Sequence, residues 1–404
     1  MKFSDLATPA LYADPYPTYE ELHADAPLLA LAPGVWITGD YQMIDALLRD
    51  RRVGHDYLRL IKERYGEEKA KGPRFQSAAR MMITNNPPSH TRVRGVLMKA
   101  FDGRQVDEFR HLAQETADDL ASRIERSGEG DLMTEFALPL TIHVICRLLN
   151  TPYEDTAFLN KEIGILARGL DAAPMDEEQL NAGNNASLAL QDYFRKVLQE
   201  RRKTPGDDLV SRLLTLTHEG ESCDDEEIIS NIIMLFMAGH ETTANMLGNA
   251  LIALYRNPDQ LTRVLEDDSL IADTVVECLR YDTSVQMVRR VALEEVQVNE
   301  HVIPSGSMLF LCLGAAGRDP KVFDQADKLI IGRPEKDMRS LAFAGGIHHC
   351  LGARLAQIEI EVGLGTLLKR LPNLQLTNIE NLKWHQRNTL RGVETLSASW
   401  NPPA

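Results

Sequence analysis

One cysteine, Cys350, stands in the run Phe343-Ala344-Gly345-Gly346-Ile347-His348-His349-Cys350-Leu351-Gly352, ahead of an apolar-periodic helix predicted over Leu351 to Leu371. The unpaired N–H groups and positive dipole end of a helix start stabilise a thiolate. A thiolate there can hold a metal, and the small residues at 344–346 let a flat, bulky group approach the backbone. A second chemical pair is Glu241 and Thr242, in Ala238-Gly239-His240-Glu241-Thr242-Thr243, within an apolar stretch that starts near Ile228. An acid beside a hydroxyl can relay protons; the plain alternative is a helical threonine bonded back to a carbonyl, with Glu241 in a surface pair. Glu277-Cys278-Leu279-Arg280 lies on another helix, and Arg333 follows in a proline-bearing irregular stretch. Alone, a Glu-x-x-Arg on a helix is usually a solvated ion pair of small worth. His90-Thr91-Arg92-Val93-Arg94 opens a helix after Pro87-Pro88, and the four-residue step from His90 to Arg94 puts both on one face.

The elements that must position these groups follow from the punctuation. Asp14-Pro15 starts a helix running to about Ala26, Leu28 to Ile37 reads as a hairpin turning at Pro33-Gly34, and Asp40 caps a helix to Arg49. Residues 51–86, broken by Gly54, Gly66, Gly72 and Pro73, read as irregular, and long helical patterns fill 88–256. Asp224 and Asp225 cap the longest of these, about 30 residues or roughly 45 Å. Ser269 to Tyr281 is a further helix; strands lie near 286–313 with a turn at Pro304-Ser305-Gly306, and a hairpin-like strand pair follows the helix at Cys350.

Composition bounds the class. The 404 residues are 44% hydrophobic and 25% charged, as in a globular chain with a soluble surface, and no linker or repeat divides them. A net charge of −15 argues against nucleic acid and anionic membrane as partners. Met1-Lys2-Phe3-Ser4-Asp5-Leu6 has neither a basic nor an apolar leader segment, and no stretch nears the roughly 20 apolar residues of a membrane span. The five cysteines, 146, 223, 278, 312 and 350, are scattered, which fits a reducing compartment; 146, 278 and 312 read as core and 223 as exposed.

The Cys350 loop closely resembles the haem-binding signature of the cytochromes P450, Phe-Gly-x-Gly-x-His/Arg-x-Cys-x-Gly, with Phe343, Gly346, His348, Cys350 and Gly352 in register. It departs at Ala344, where the family usually has glycine; a positive φ there would cost about 1 kcal/mol or more. The other three motifs stand in the order that the family requires. The resemblance implies a mainly α fold with small β-sheets, one cytochrome P450 domain over 1–404, and heme b (iron protoporphyrin IX) as cofactor. Cys350 would be the axial iron ligand, whose electron push favours O–O cleavage. Phe343 would pack on the ligand side, with plain core as its alternative. His90, Arg94, Arg290 and His348 would meet the haem propionates. On charge alone Arg289 and Arg290 are equivalent, but alternation puts them on opposite sides of a strand, and the family's Arg-x-Ala pattern selects Arg290. Ala238 and Gly239 would leave room for O2, Glu241 and Thr242 would deliver its protons, and His240 would stand behind them. Glu277, Arg280 and Arg333 would form a buried structural triad, and His349 would face the surface away from the propionates.

The same resemblance places substrate contacts in the 51–86 loop, the 150–205 helix pair, the helix around 234–243, residues 284–289 and the terminal hairpin near 388–395. Met82, Ile83, Met234, Leu235, Ala238, Val285, Met287, Val288 and Thr389 are the candidates by position, each equally readable as core. Apolar residues with several methionines suit a medium-sized hydrophobic substrate. The sequence carries no flavin or iron–sulfur module, so a separate ferredoxin and its NAD(P)H-dependent reductase are expected as donors, docking on Arg92, Lys99, Arg104 and Arg354. The expected protein is a cytoplasmic, monomeric monooxygenase of secondary metabolism. Desaturation, oxidative coupling or peroxide-driven oxidation on the same haem, and a non-catalytic haem sensor, are the alternatives. A haem-free metal site is disfavoured, because the consecutive His348, His349 and Cys350 cannot readily converge on one ion.

Overall fold

The computed structural model describes residues 3–101, 105–170, 174–334 and 339–402. The elements that position the candidate groups are, in chain order, β1 (Leu29–Ala32), β2 (Val35–Thr38), α1 (Tyr41–Arg49), β3 (Val53–Gly54), α2 (Pro73–Ala78), α3 (Ser89–Ala100), α4 (Thr156–Ala167), α5 (Glu177–Lys203), α6 (Asp225–Gly239), α7 (Glu241–Arg256), α8 (Ile271–Tyr281), β4 (Met287–Ala292), β5 (Met308–Cys312) and α9 (Ala353–Arg370). They fall into two compact units, one of Met1–Val53, Glu108–Thr141 and Glu241–Ala404, the other of Gly54–Asp107 and Ile142–His240.

The first unit is built on a sheet of order β1-β2-β5-β4-β3. The expected hairpin is present: β1 and β2 pair antiparallel, and Gly34 turns between them at φ +72°. α1 starts where expected, with the Asp40 carboxylate accepting the Met43 N–H, and it buries Met43, Ile44, Leu47 and Leu48. These four pack with Leu309 and Leu311 of β5, Ala292 of β4 and Leu341, and the methyl group of Ala344 rests against the same cluster. The core is thereby joined directly to the start of the Cys350 loop. Met287 falls in a second cluster, with Leu6, Tyr19 and Phe310.

α8 carries Glu277 and Arg280, and here the ordinary reading of Glu-x-x-Arg fails. Glu277 and Arg280 are 4% and 2% exposed, and Arg333 is 7%. Arg280 grips Glu277 with two N–H groups at 2.8 and 2.7 Å, and the Arg333 Nε–H adds a third bond at 2.9 Å. The remaining guanidinium donors reach backbone carbonyls of Gly317, Ala326 and Lys328 from Arg280, and of Asp324, Gln325 and Lys328 from Arg333. The triad therefore clamps the chain between 317 and 333 onto α8.

In the second unit, residues expected to be irregular hold short helices at Tyr57–Tyr65, Glu67–Ala70 and α2. Each is too short for an apolar period, and Gly66 and Gly72 lie at their ends, so the sequence shows the breaks better than the helices. α5 and α6 begin with reciprocal capping boxes, Asp176 with Gln179 and Asp224 with Glu227. α6 is buried along Ile228, Ile229, Ile232, Ile233 and Phe236. The predicted helix of about 30 residues is interrupted at His240 (φ −96°, ψ −54°), which ends α6 before α7 begins. Cys146, Cys278 and Cys312 are buried as expected, whereas Cys223 is half-buried rather than exposed.

Candidate active site

The Cys350 loop is shaped by its own backbone. Ala344 N–H donates to the Leu341 carbonyl at 2.8 Å, His349 N–H to Gly346 at 3.1 Å, and Cys350 N–H to Phe343 at 3.0 Å. Two residues take left-handed conformations, Ala344 at φ +56° and Gly346 at φ +64°. A Cβ on Gly346 would lie 1.9 Å from the Leu48 carbonyl oxygen, so only glycine lets the loop rest on the end of α1. Ala344, where the family prefers glycine, thus sits in the strained conformation anticipated for it. The loop presents Cys350 exposed. α9 starts at Ala353 with Gly352 as its N-cap, later than the predicted Leu351, because Gly352 (φ −88°, ψ 11°) has not yet entered helical geometry.

In the same unit, Arg290 is buried on β4 and donates to the Arg289 carbonyl at 2.8 Å. No carboxylate among the described residues pairs with it, and burial pulls its pKa down to about 10. A buried guanidinium without an acid is the electrostatic complement of an anionic group brought by a ligand. Phe343 and His349 line an open cavity of about 680 Å³ with Arg49, Arg51, Arg339 and Ile347. His348 is half-buried in the single helical turn Gly346–His348.

Glu241 and Thr242 open α7, both half-buried. Glu241 Oε1 accepts a hydrogen bond from Arg387 Nη1 at 2.7 Å, with the two side chains 22% and 14% exposed. The terminal segment that brings Arg387 there is tied down at several points. Gln286 N–H donates to the Thr389 carbonyl at 3.0 Å, Val285 bridges Leu390, and Arg391 Nε donates to Asp282 at 2.8 Å. Asn249 of α7 donates to the carbonyls of Asp282 and Arg391. Glu241, Val285 and Thr389 are thus drawn together, and Thr389 Oγ1 is enclosed with no hydrogen-bond partner among the described residues. Val288 is half-buried against the first core cluster. Met287 is buried in the second cluster.

In the second unit, His90 is 1% exposed on α3, one turn from Arg94. Burial, and then the charge of Arg94, push its pKa down to about 4, so the imidazole is neutral near pH 7. Met82 is buried, its N–H held by Asn231 Oδ1 at 2.8 Å, whereas Ile83 is 46% exposed. On α6, Met234 is buried, Leu235 half-buried and Ala238 exposed, the latter two one turn apart near the end of a helix buried from Ile228 to Met234. The expected docking residues fare less well. Arg92 is occupied by Glu227 and Glu221, Lys99 donates to the Thr217 carbonyl, Arg354 is exposed and Arg104 lies outside the described residues.

Arg387 was not among the sequence candidates. Its only signal there was a basic residue at the edge of the terminal segment assigned to substrate contact. Among the described residues, no group of three or more His, Cys, Asp or Glu could hold a metal ion, and no helix is long and apolar enough to cross a membrane.

Comparison with known proteins gives one consistent picture. The family model described as Cytochrome P450 matches residues 51–380. A protein of Xylella fastidiosa (strain 9a5c) named as cytochrome P450 133B1 is 44% identical over 396 residues, 98% of either chain. The vitamin D(3) 25-hydroxylase of Pseudonocardia autotrophica is 34% identical, over 98% of this chain and 96% of that protein. The crystal structure of P450BioI in complex with hexadec-9Z-enoic acid ligated acyl carrier protein aligns with a TM-score of 0.90 at 30% identity, over 97% of this chain and 99% of that one.

Proposed function

The chain belongs to the cytochrome P450 family of haem monooxygenases, and from that premise we propose that it inserts one oxygen atom of O2 into a medium-sized hydrophobic substrate of secondary metabolism. Its electrons come from a separate ferredoxin and NAD(P)H-dependent reductase. The cofactor is heme b, and the whole of 1–404 acts as one catalytic domain, a cytoplasmic monomer.

The residues fit that group. Cys350 supplies the thiolate, and Arg290, whose buried charge pairs with no acid among the described residues, takes a propionate. The family pattern assigns propionate roles to Arg94 and to His90, which is neutral near pH 7, and to His348, and places Phe343 on the Cys350 side. When bound, a haem with thiolate ligation reduces and splits dioxygen, so that RH + O2 + 2 e⁻ + 2 H⁺ gives ROH + H2O. Thr242 donates its Oγ1 proton toward the oxygen, and Glu241 restores that proton from its carboxyl group. Arg387 holds Glu241 Oε1 and fixes where the carboxylate points before it takes up a proton. Ala238 keeps a small side chain beside the oxygen.

Met82, Ile83, Met234, Leu235, Val285, Met287, Val288 and Thr389 are the substrate contacts, with Thr389 Oγ1, which has no hydrogen-bond partner among the described residues, available to one polar substrate atom. Relatives named for hydroxylation and for an acyl carrier protein complex are consistent with a hydrophobic substrate. The redox partner docks at the cavity that opens onto Phe343 and His349 of the Cys350 loop, where Arg51 and Arg339 face an acidic ferredoxin and Arg49 is already paired with Asp45 at 2.9 Å.

One observation carries this reading: an exposed cysteine on a braced loop in the same unit as a buried, acid-free arginine. The test is the optical spectrum of reduced, carbon monoxide-bound protein, which should show the thiolate band and lose it in Cys350→Ala. Reconstitution with ferredoxin, reductase and NADPH should then yield an oxidised product. Absence of the band, or its survival in Cys350→Ala, would end the proposal.

A further inference from the structure

Among the described residues Arg74, like Arg290, is a buried arginine that pairs with no acid. It is 8% exposed at the start of α2, in the second unit. Its backbone N–H is held by Asn184 Oδ1 of α5 at 3.3 Å. Its guanidinium has only weak acceptors: the Met175 thioether from Nη1 at 2.9 Å and the Leu166 carbonyl from Nη2 at 3.5 Å. Among the described residues no carboxylate pairs with it, and the titratable groups that act on it are the phenols of Tyr57 and Tyr65. Burial draws its pKa downward.

The surroundings are built around that head group. A Cβ on Gly169 would lie 1.8 Å from Arg74 Nη2, and one on Gly183 would lie 2.2 Å from Nη1, so a side chain at either position would displace the guanidinium from where it rests. The guanidinium carbon lies 5.3 Å from the centre of the Phe75 ring, which stacks on Tyr65 with centroids 5.4 Å apart and 25° between planes. Tyr65 Oη accepts the Met175 N–H at 3.1 Å, which leaves its own O–H proton to donate. A charge in such apolar and aromatic surroundings is destabilising unless an opposite charge joins it. A planar guanidinium beside a phenol is a strong recogniser of one group in particular, a carboxylate, which takes parallel N–H bonds and an O–H bond together.

We propose that Arg74 and Tyr65 bind the carboxylate of the substrate, and that the physiological ligand is a hydrophobic carboxylic acid. This rests on the monooxygenase reading only for the ligand being a substrate; the anion site stands on the residues alone. The proposal accounts for an arginine that the fold would otherwise carry as a cost, and for two glycines kept free of side chains around it.

The experiment measures binding of decanoate, methyl decanoate and decanol to the haem-loaded protein by calorimetry. The wild type should bind the acid roughly 10- to 100-fold tighter than the ester or alcohol, the span expected for a charged hydrogen-bonded pair. Arg74→Met should erase that preference while leaving ester affinity within about threefold, and Tyr65→Phe should reduce the preference in part. Equal affinity of the wild type for acid and ester, or an acid preference that survives in Arg74→Met, overturns the proposal. Should Arg74→Met fail to fold, the wild-type ratio and Tyr65→Phe decide. Calorimetry is blind to iron ligation, so a missing thiolate band would sink the monooxygenase reading without touching this one.

Discussion

Removing the Glu277 carboxylate should be among the most damaging single changes in the first unit, and the geometry states why. Glu277 Oε1 accepts from Arg280 Nη2, Arg333 Nε and the Ile330 N–H, at 2.7, 2.9 and 2.8 Å, and Oε2 accepts from Arg280 Nε at 2.8 Å. In Glu277→Ala two buried guanidiniums lose the one acid that pairs with them among the described residues and face each other's charge with backbone carbonyls as partners. An uncompensated buried charge of this kind costs about 3–5 kcal/mol, against a total stability of about 5–15 kcal/mol. The midpoint of denaturant unfolding measures the loss, and the haem content of the purified protein measures its reach, because the 317–333 chain that the triad clamps leads into the Cys350 loop. A double-mutant cycle with Arg333→Met sharpens the test. If the residues act as one network, the second change should cost about 1–3 kcal/mol less in Glu277→Ala than in wild type. A loss below about 1 kcal/mol for Glu277→Ala, or strictly additive costs, would refute the reasoning.

Other consequences are as direct. Ala344→Gly removes a left-handed alanine at φ +56° and should gain about 0.5–1 kcal/mol, after allowance for the lost methyl contact and the freer unfolded chain. Gly346→Ala, whose Cβ would meet the Leu48 carbonyl at 1.9 Å, should cost well over 1 kcal/mol by the same denaturation assay. The His90 pKa lies near 4 when folded and about 6.5 when unfolded, so protons favour the unfolded chain. Haem-free protein should therefore lose up to ~3 kcal/mol of stability as pH falls from about 6.5 to 4, and His90→Gln should flatten that slope. Arg387→Met frees Glu241 and should lower product formed per NADPH consumed, with Arg387→Lys recovering part of it; unchanged coupling in Arg387→Met would dismiss the positioning role.

Legibility followed distance along the chain. The Asp40 cap spans three residues and was readable from spacing alone, whereas the i,i+3 pair of the triad and the ten consecutive residues of the Cys350 loop became legible only through their resemblance to a family pattern. The 51–86 region was misread as irregular because helices of four to nine residues carry too little periodicity to stand above their breakers. Met287 and Val288 looked alike by type, and only the packing of β4 assigned them to different clusters.

Taken by itself, the amino-acid sequence determined the family resemblance, the iron-ligand candidate and the main helices, since these depend on residues close together in the chain and on their local backbone preferences. Tertiary structure alone decided that Arg387 holds Glu241, 146 residues away, and that Arg74 rests against Leu166 and Met175, 92 and 101 residues away. It also decided that Arg92 is paired with Glu227, 135 residues off, and so is lost to a docking surface. Whether a charge is neutralised, solvated or left for a ligand depends on which distant segments pack beside it, and no residue spacing encodes that.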